Sequence, residues 1–182
     1  LNLIWMDTNC WKTKLITRIK HLESKEIFYD FIKPKETNSD LLIMCFTDEP
    51  LPSIMTSLPT QTLPTTSPSW RSTICIYRDN SSASYQGEIE PFPEKATLLS
   101  FIPFMQKERN IKNYLIFLNL ESKPSSRKGS LKFSTVKQPE LIIKHTKIKT
   151  NSCNFIDLNN LDIEDDELLV CYSKSMSGIP LF

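Results

Sequence analysis

Short stretches of alternating apolar and polar residues dominate the chain from residue 72 onward. Tyr85 and Ile89, for example, alternate with Gln86 and Glu88. A period of two residues is typical of a strand with one buried and one exposed face. Segments of this kind and two apolar runs suited to interior strands, 98–104 and 114–120, recur about every ten residues. The predicted strands cover 74–77, 85–89, 98–104, 114–120, 131–134, 141–148, 153–158 and 168–172. They predict a mainly β fold (α+β overall) with an antiparallel β-sandwich or barrel-like domain.

The first 46 residues show a different pattern. Apolar residues recur there at spacings of four, four and three, namely Trp11, Leu15, Ile19 and Leu22. This spacing predicts one face of a helix. Apolar runs at 1–6, 27–32 and 41–46 predict strands on either side of it. We therefore expect a short strand–helix–strand segment, too small to form its own core, to precede the β domain and pack on it.

Residues 47–71 separate these two parts and are rich in proline, threonine and serine. Proline fixes φ and removes a backbone donor, so this stretch suits neither a helix interior nor a central strand. We expect one compact unit with three parts: an α/β segment at 1–46, a loop or linker at 47–71, and the β domain at 72–182.

Composition excludes several functional classes. The 182 residues include 22 basic and 21 acidic side chains, giving a net charge of +1, and only three glycines, which form no phosphate-binding loop. Five cysteines without a CxxC pair, and two histidines, provide no standard zinc site, and we expect no cofactor. Reduced thiols favour a cytoplasmic protein, with an extracellular one as the alternative. No apolar run approaches the ~18 residues of a membrane span.

The densest mixture of aromatic, arginine and acidic side chains lies between residues 70 and 93. Aromatic residues and arginine are enriched at binding surfaces. We therefore predict a non-catalytic ligand-recognition or protein-interaction domain, part of a larger polypeptide or assembly. Its partner is expected to be a protein or a small ligand such as a saccharide. The residues predicted to form this surface are Trp70, Arg71, Arg78, Tyr85, Glu88 and Glu90.

Three carboxylates support an alternative, enzymatic function. Asp7 follows the first apolar run, and Asp48 and Glu49 follow the run at 41–46. Carboxylates at the carboxyl ends of neighbouring parallel strands can bind a metal ion or transfer protons. This alternative requires the three side chains to converge within about 6 Å.

Charge is distributed unevenly in the last third of the chain. Residues 122–150 contain eight lysines and arginines and one acid, whereas residues 151–182 contain six acids and one lysine. We expect the two blocks to lie side by side, with opposite charges paired across strands. Nucleic-acid binding through the basic segment 123–149 is a further alternative, which this pairing disfavours. The acidic residues of 157–167 lack calcium-loop spacing and predict a solvated turn.

Overall fold

Antiparallel sheets and one short helix make up the regular structure of the described residues. In this computed structural model the described residues are 1–20, 22–35, 37, 39–47, 49–59, 72–78, 81–87, 91–94, 96–102, 111–164 and 167–182. Positions 29, 72–78 and 81–87 are described by their backbone only. The prediction of a mainly β, antiparallel fold is confirmed.

The N-terminal part contains β1 Asn2–Asp7, β2 Cys10–Leu15, helix α1 Tyr29–Ile32, β3 Leu42–Cys45 and β4 Ile54–Met55. Its four strands form one sheet in the order β3-β1-β2-β4. Strand β1 pairs antiparallel with both β2 and β3. Thr8, in the two-residue connection between β1 and β2, has a φ of 55°. A positive φ is what the tight turns of two-residue hairpins require.

The helix predicted over residues 11–22 is wrong, because residues 10–15 form strand β2. Trp11 is 1% exposed, but Leu15 and Leu22 are 43% and 94% exposed, so the four-residue spacing marks no buried stripe. The hydrogen bonds of β2 reach β1 and β4 instead of residues four positions away. Pairing with other strands thus overrides the local periodicity.

Of the three strands predicted in the N-terminal part, two are confirmed and one is wrong. The strands predicted at 1–6 and 41–46 are confirmed as β1 and β3. The strand predicted at 27–32 is wrong, because four of its six residues, Tyr29–Ile32, form helix α1. An apolar run this short is compatible with either a strand or a buried helical turn, and periodicity alone does not separate them.

Nine further strands lie in the described residues after position 71. They are β5 Ser72–Arg78, β6 Ser81–Gly87, β7 Leu98–Ile102, β8 Tyr114–Asn119, β9 Lys128–Thr135, β10 Lys144–Lys149, β11 Ser152–Asp157, β12 Leu169–Ser173 and β13 Ile179–Leu181. Strands β5 and β6 form a hairpin. The others form a sheet β10-β9-β12-β7 and a sheet β11-β8-β13. Of these nine, only β13 has no counterpart among the predicted strands; β4, earlier in the chain, was not predicted either.

One core is shared by these last two sheets. Each sheet contributes alternate residues of its strands, and the fully buried side chains include Leu131, Phe133, Leu169, Leu115, Phe117 and Ile156. Burying a side chain of this size stabilises the fold by roughly 1.5–3 kcal/mol. The inward-facing positions of β9 and β12 are therefore fixed by the core, and their alternate positions must face away from it.

The N-terminal sheet packs against the segment that follows β8. Leu120 belongs to the same buried cluster as Ile4 and Trp11. The Trp11 indole Nε1 donates a hydrogen bond to the Ser122 carbonyl oxygen at 2.8 Å, and the Leu58 amide donates to the same oxygen at 2.9 Å. Residues 1–58 and the later sheets are thus joined by apolar packing and by hydrogen bonds.

Candidate functional site

Most of the surface predicted around residues 70–90 lies outside the described residues. This applies to Trp70, Arg71, Glu88 and Glu90. The backbone places Arg78 opposite Ser81, and Tyr85 opposite Ile74, in the β5–β6 hairpin. A role for these residues in recognition stays a prediction.

The carboxylates of the enzymatic alternative are not brought together where the structure describes them. Asp7 lies at the end of β1. Glu49 comes shortly after Cys45, the last residue of β3, which pairs with Asn2 at the start of β1. Five residues of extended chain, about 17 Å, separate these two ends of β1. The antiparallel pairing causes this separation, since parallel strands would have ended at the same edge. Asp48 lies outside the described residues.

Asp7 and Asp157 have local partners that account for their pKa values. Hydrogen bonding and charge attraction from Lys12 lower the pKa of Asp7. The pKa of Asp157 is lowered because its Oδ1 accepts hydrogen bonds from the backbone and side-chain nitrogens of Asn159. Among the described residues, no three His, Cys, Asp or Glu side chains are grouped closely enough to hold a metal ion.

The basic segment is arranged differently from the prediction of paired charges. Strand β9 lies between β10, which is also basic, and β12, whose residues 169–173 include no acid. Asp162, Glu164 and Glu167 instead belong to the connection between β11 and β12, where Glu164 pairs with Lys137 at 2.9 Å. The prediction that opposite charges pair across neighbouring strands is therefore wrong for β9 and β10.

The register of β9 and β10 sorts their side chains onto two faces. Leu131 and Phe133 are buried in the core, so the alternate residues of β9 face outward, as do the residues of β10 paired with them. The outward set, which we call the lysine face, consists of Lys128, Ser130, Lys132, His145, Lys147 and Lys149. Of these, Ser130 and Lys132 are half-buried and the rest are exposed.

Two lysines lie directly opposite each other on the lysine face. Lys128 pairs in register with Lys149, while Lys132 lies opposite His145. In the described part of the chain, no ion pair involves Lys128, Lys132, Lys147 or Lys149. Like charges at facing strand positions are destabilising. The fold therefore concentrates four ammonium groups without neutralising them.

An aromatic and apolar border continues the same sheet face beyond β9. Tyr172 of β12 lies directly opposite Lys132, and Leu99 of β7 lies opposite Tyr172. Leu99 is 66% exposed and Phe101, two residues further on the same face, is 59% exposed. We call Tyr172, Leu99 and Phe101 the aromatic margin. One sheet face thus carries cations at one edge and rings and aliphatic surface at the other.

A buried polar corner fixes the end of the β9–β10 hairpin that bears Lys128 and Lys149. The Thr150 amide donates to the Arg127 carbonyl oxygen at 2.9 Å, and the Arg127 amide donates to Thr150 Oγ1 at 2.8 Å. The Arg127 guanidinium donates through Nη2 to Glu121 Oε1 at 2.5 Å, and the Glu121 side chain is 2% exposed. These bonds hold the two strand ends in register, and with them the facing lysines.

A second set of bonds in this corner comes from Asn151. This residue has a φ of 52°, and its Oδ1 accepts from the Glu121 amide at 2.7 Å. Its Nδ2 donates to the carbonyl oxygens of Lys123 and Ser125. Asparagine tolerates the left-handed conformation and bonds nearby backbone at the same time. The tight connection between β10 and β11 is built on both properties.

Sequence reasoning found the lysines but missed the aromatic margin. The mainly apolar run at 98–104 was predicted to be an interior strand. In the structure, Leu98 packs on the core and Ile102 is 2% exposed, whereas Leu99 and Phe101 lie on the opposite, open side. Alternation within an apolar run leaves no sequence signal, so only the fold reveals this surface.

No protein-family model matches the chain, and neither the curated proteins nor the solved structures include a significant match. Within the described residues, no helix has the length and apolar character needed to cross a membrane.

Proposed function

We propose that this chain is a binding domain that holds a polyanionic partner on the lysine face. The observation that carries the proposal is the register of β9 and β10, which aligns four lysines on one outward face without a carboxylate in the ladder. A polyanion would neutralise the mutual repulsion of these lysines and release its own counterions on binding. The proposal keeps the predicted role in recognition but assigns it to a different surface.

Two features of the fold support this role. The inward residues of β9 are fixed by the core, and the Arg127–Thr150 bonds fix the strand ends. The lysine ammonium groups are therefore presented from a rigid scaffold, which reduces the entropy lost on binding. Alternate residues on a strand are about 6.6 Å apart, so Lys147 and Lys149 present a regular row of charge.

Retention on immobilised heparin tests the proposal. We expect Lys147→Gln to elute at a lower salt concentration than the unmodified chain, because one of four contacts to the polyanion is lost. Lys144→Gln is the matched control, since Lys144 is on the same strand but pairs with Phe133 on the other face. It should elute close to the unmodified chain. Equal shifts in elution for both variants would contradict the proposal. So would a failure of the unmodified chain to be retained at a low salt concentration of about 50 mM.

A further inference from the structure

We infer that the polyanion bound by the lysine face is a single-stranded nucleic acid, whose bases stack on the aromatic margin. This inference rests on the proposed function and adds the class of partner. Heparin, an acidic protein segment and a nucleic acid all carry negative charges that can pair with the lysines. Of these three, only a nucleic acid carries a flat aromatic base beside each negative charge, and the structure places an aromatic residue, Tyr172, opposite Lys132.

The lysine face and the aromatic margin are arranged so that one can contact the backbone of a single strand and the other its bases. Tyr172 is in register with Lys132, and neighbouring strands are about 4.8 Å apart, so the two side chains leave the sheet next to each other on the same face. Phe101 is on the same face, one strand further from the lysines. A backbone tracking the lysines can therefore turn its bases toward these two rings. Non-specific single-strand binding combines these same elements, a basic track and aromatic platforms.

Exposure distinguishes these rings from structural aromatics. Phe117 and Phe133 are fully buried in the core, whereas Phe101 is 59% exposed and Tyr172 is half-buried. Ser134 and Val170, on the same face, are 1% and 7% exposed. Val170 and Ser134 lie in register with Phe101, so the open part of the face is bounded on this side. Tyr172 stands directly beside Lys132, and Phe101 lies one strand further away, on the edge strand β7.

A duplex is the discriminating competitor. It carries more charge per unit length than a single strand, so a purely electrostatic surface binds the duplex more tightly. Its bases are stacked within the helix and cannot reach Tyr172 or Phe101. A preference for the single strand at equal length therefore reports base stacking rather than charge.

The test is fluorescence anisotropy with a labelled 12-nucleotide oligothymidylate, the matching duplex and a labelled heparin fragment. We expect the single strand to bind more tightly than the duplex. Phe101→Ala and Tyr172→Ala should each weaken single-strand binding roughly 5- to 150-fold, the range measured for loss of one stacked base. Tyr172→Phe should retain affinity because it keeps the ring. Heparin binding should be unaffected by all three variants, whose folding is checked by their melting temperatures.

The possible failures are distinguishable. The inference is overturned if the chain binds the duplex or heparin at least as tightly as the single strand and both alanine variants keep their affinity for the single strand. Polyanion binding, the proposed function, would then still hold. If the chain binds none of the three probes, the proposed function is overturned as well.

Discussion

Replacing Lys149 by glutamate should stabilise the fold while weakening binding. Lys149 faces Lys128 in the register of β9 and β10, so Lys149→Glu converts a repulsive pair into an attractive one. The Cβ atoms of facing residues are about 5 Å apart, and two long side chains that avoid each other hold their charges roughly 7 Å apart. At that distance in water, two unit charges interact with about 0.6 kcal/mol. Reversing the sign therefore changes the free energy of unfolding by about 1.2 kcal/mol at low salt.

Ionic strength provides the internal check on this value. At 0.15 M salt the screening length is about 8 Å, which reduces the gain to roughly 0.5 kcal/mol, and at 1 M salt it should vanish. For a chain of this size, the low-salt gain corresponds to a rise in melting temperature of about 2–5 °C. Lys149→Gln removes the repulsion without adding attraction, so about half the gain is expected.

Thermal unfolding at three salt concentrations measures this effect. Lys35→Glu serves as the control for net charge, because Lys35 is an exposed residue after α1 and lies in no strand. A destabilised Lys149→Glu variant would refute the reasoning, as would a gain that persists unchanged at 1 M salt. Heparin retention of the same variant should fall, which would show that the repulsion is maintained for binding rather than for stability.

Two predictions concern the core. Gly178→Ala should cost roughly 1–3 kcal/mol of unfolding free energy, because its Cβ would collide with the Leu118 carbonyl oxygen and the Phe117 ring. Gly129→Ala should cost less, since its Cβ meets the movable end of the Met176 side chain; equal losses in urea unfolding would contradict this difference. Burial raises the pKa of the Cys171 thiol to about 11, so little thiolate exists at pH 8. Cys171 should then react with a thiol reagent only after unfolding, and rapid labelling of the native protein at this position, read by peptide mapping, would contradict its burial.

The strands of the second half of the chain could be predicted from the sequence because their information is local. In residues 144–149, Thr146 and Ile148 alternate with Lys147 and Lys149, and the predicted strand is confirmed. Strand β13 was missed because three residues containing Pro180 give no periodic signal. It forms at the edge of its sheet, where a missing backbone donor is tolerated.

The strand at residues 10–15 and the absence of opposite-charge pairing between β9 and its neighbours could not be predicted, because both depend on which strands become neighbours. Trp11 has apolar residues at helical spacing after it, yet it is buried by β-pairing with β1 and by packing near Leu120. Similarly, the composition of 122–182 favoured cross-strand salt bridges, but the sheet order places β9 between β10 and β12. The candidate site appears only once this order is known.

The salt dependence of oligothymidylate binding tests the central claim most directly. If Lys128, Lys132, Lys147 and Lys149 each contact a phosphate, the logarithm of the association constant should fall with the logarithm of salt concentration with a slope near −3, from about −0.7 per contact. Each Lys→Gln substitution on the lysine face should reduce the slope by about 0.7, whereas Lys144→Gln should leave it unchanged. A slope near zero for the unmodified chain, or a slope insensitive to the lysine-face substitutions, would contradict the account.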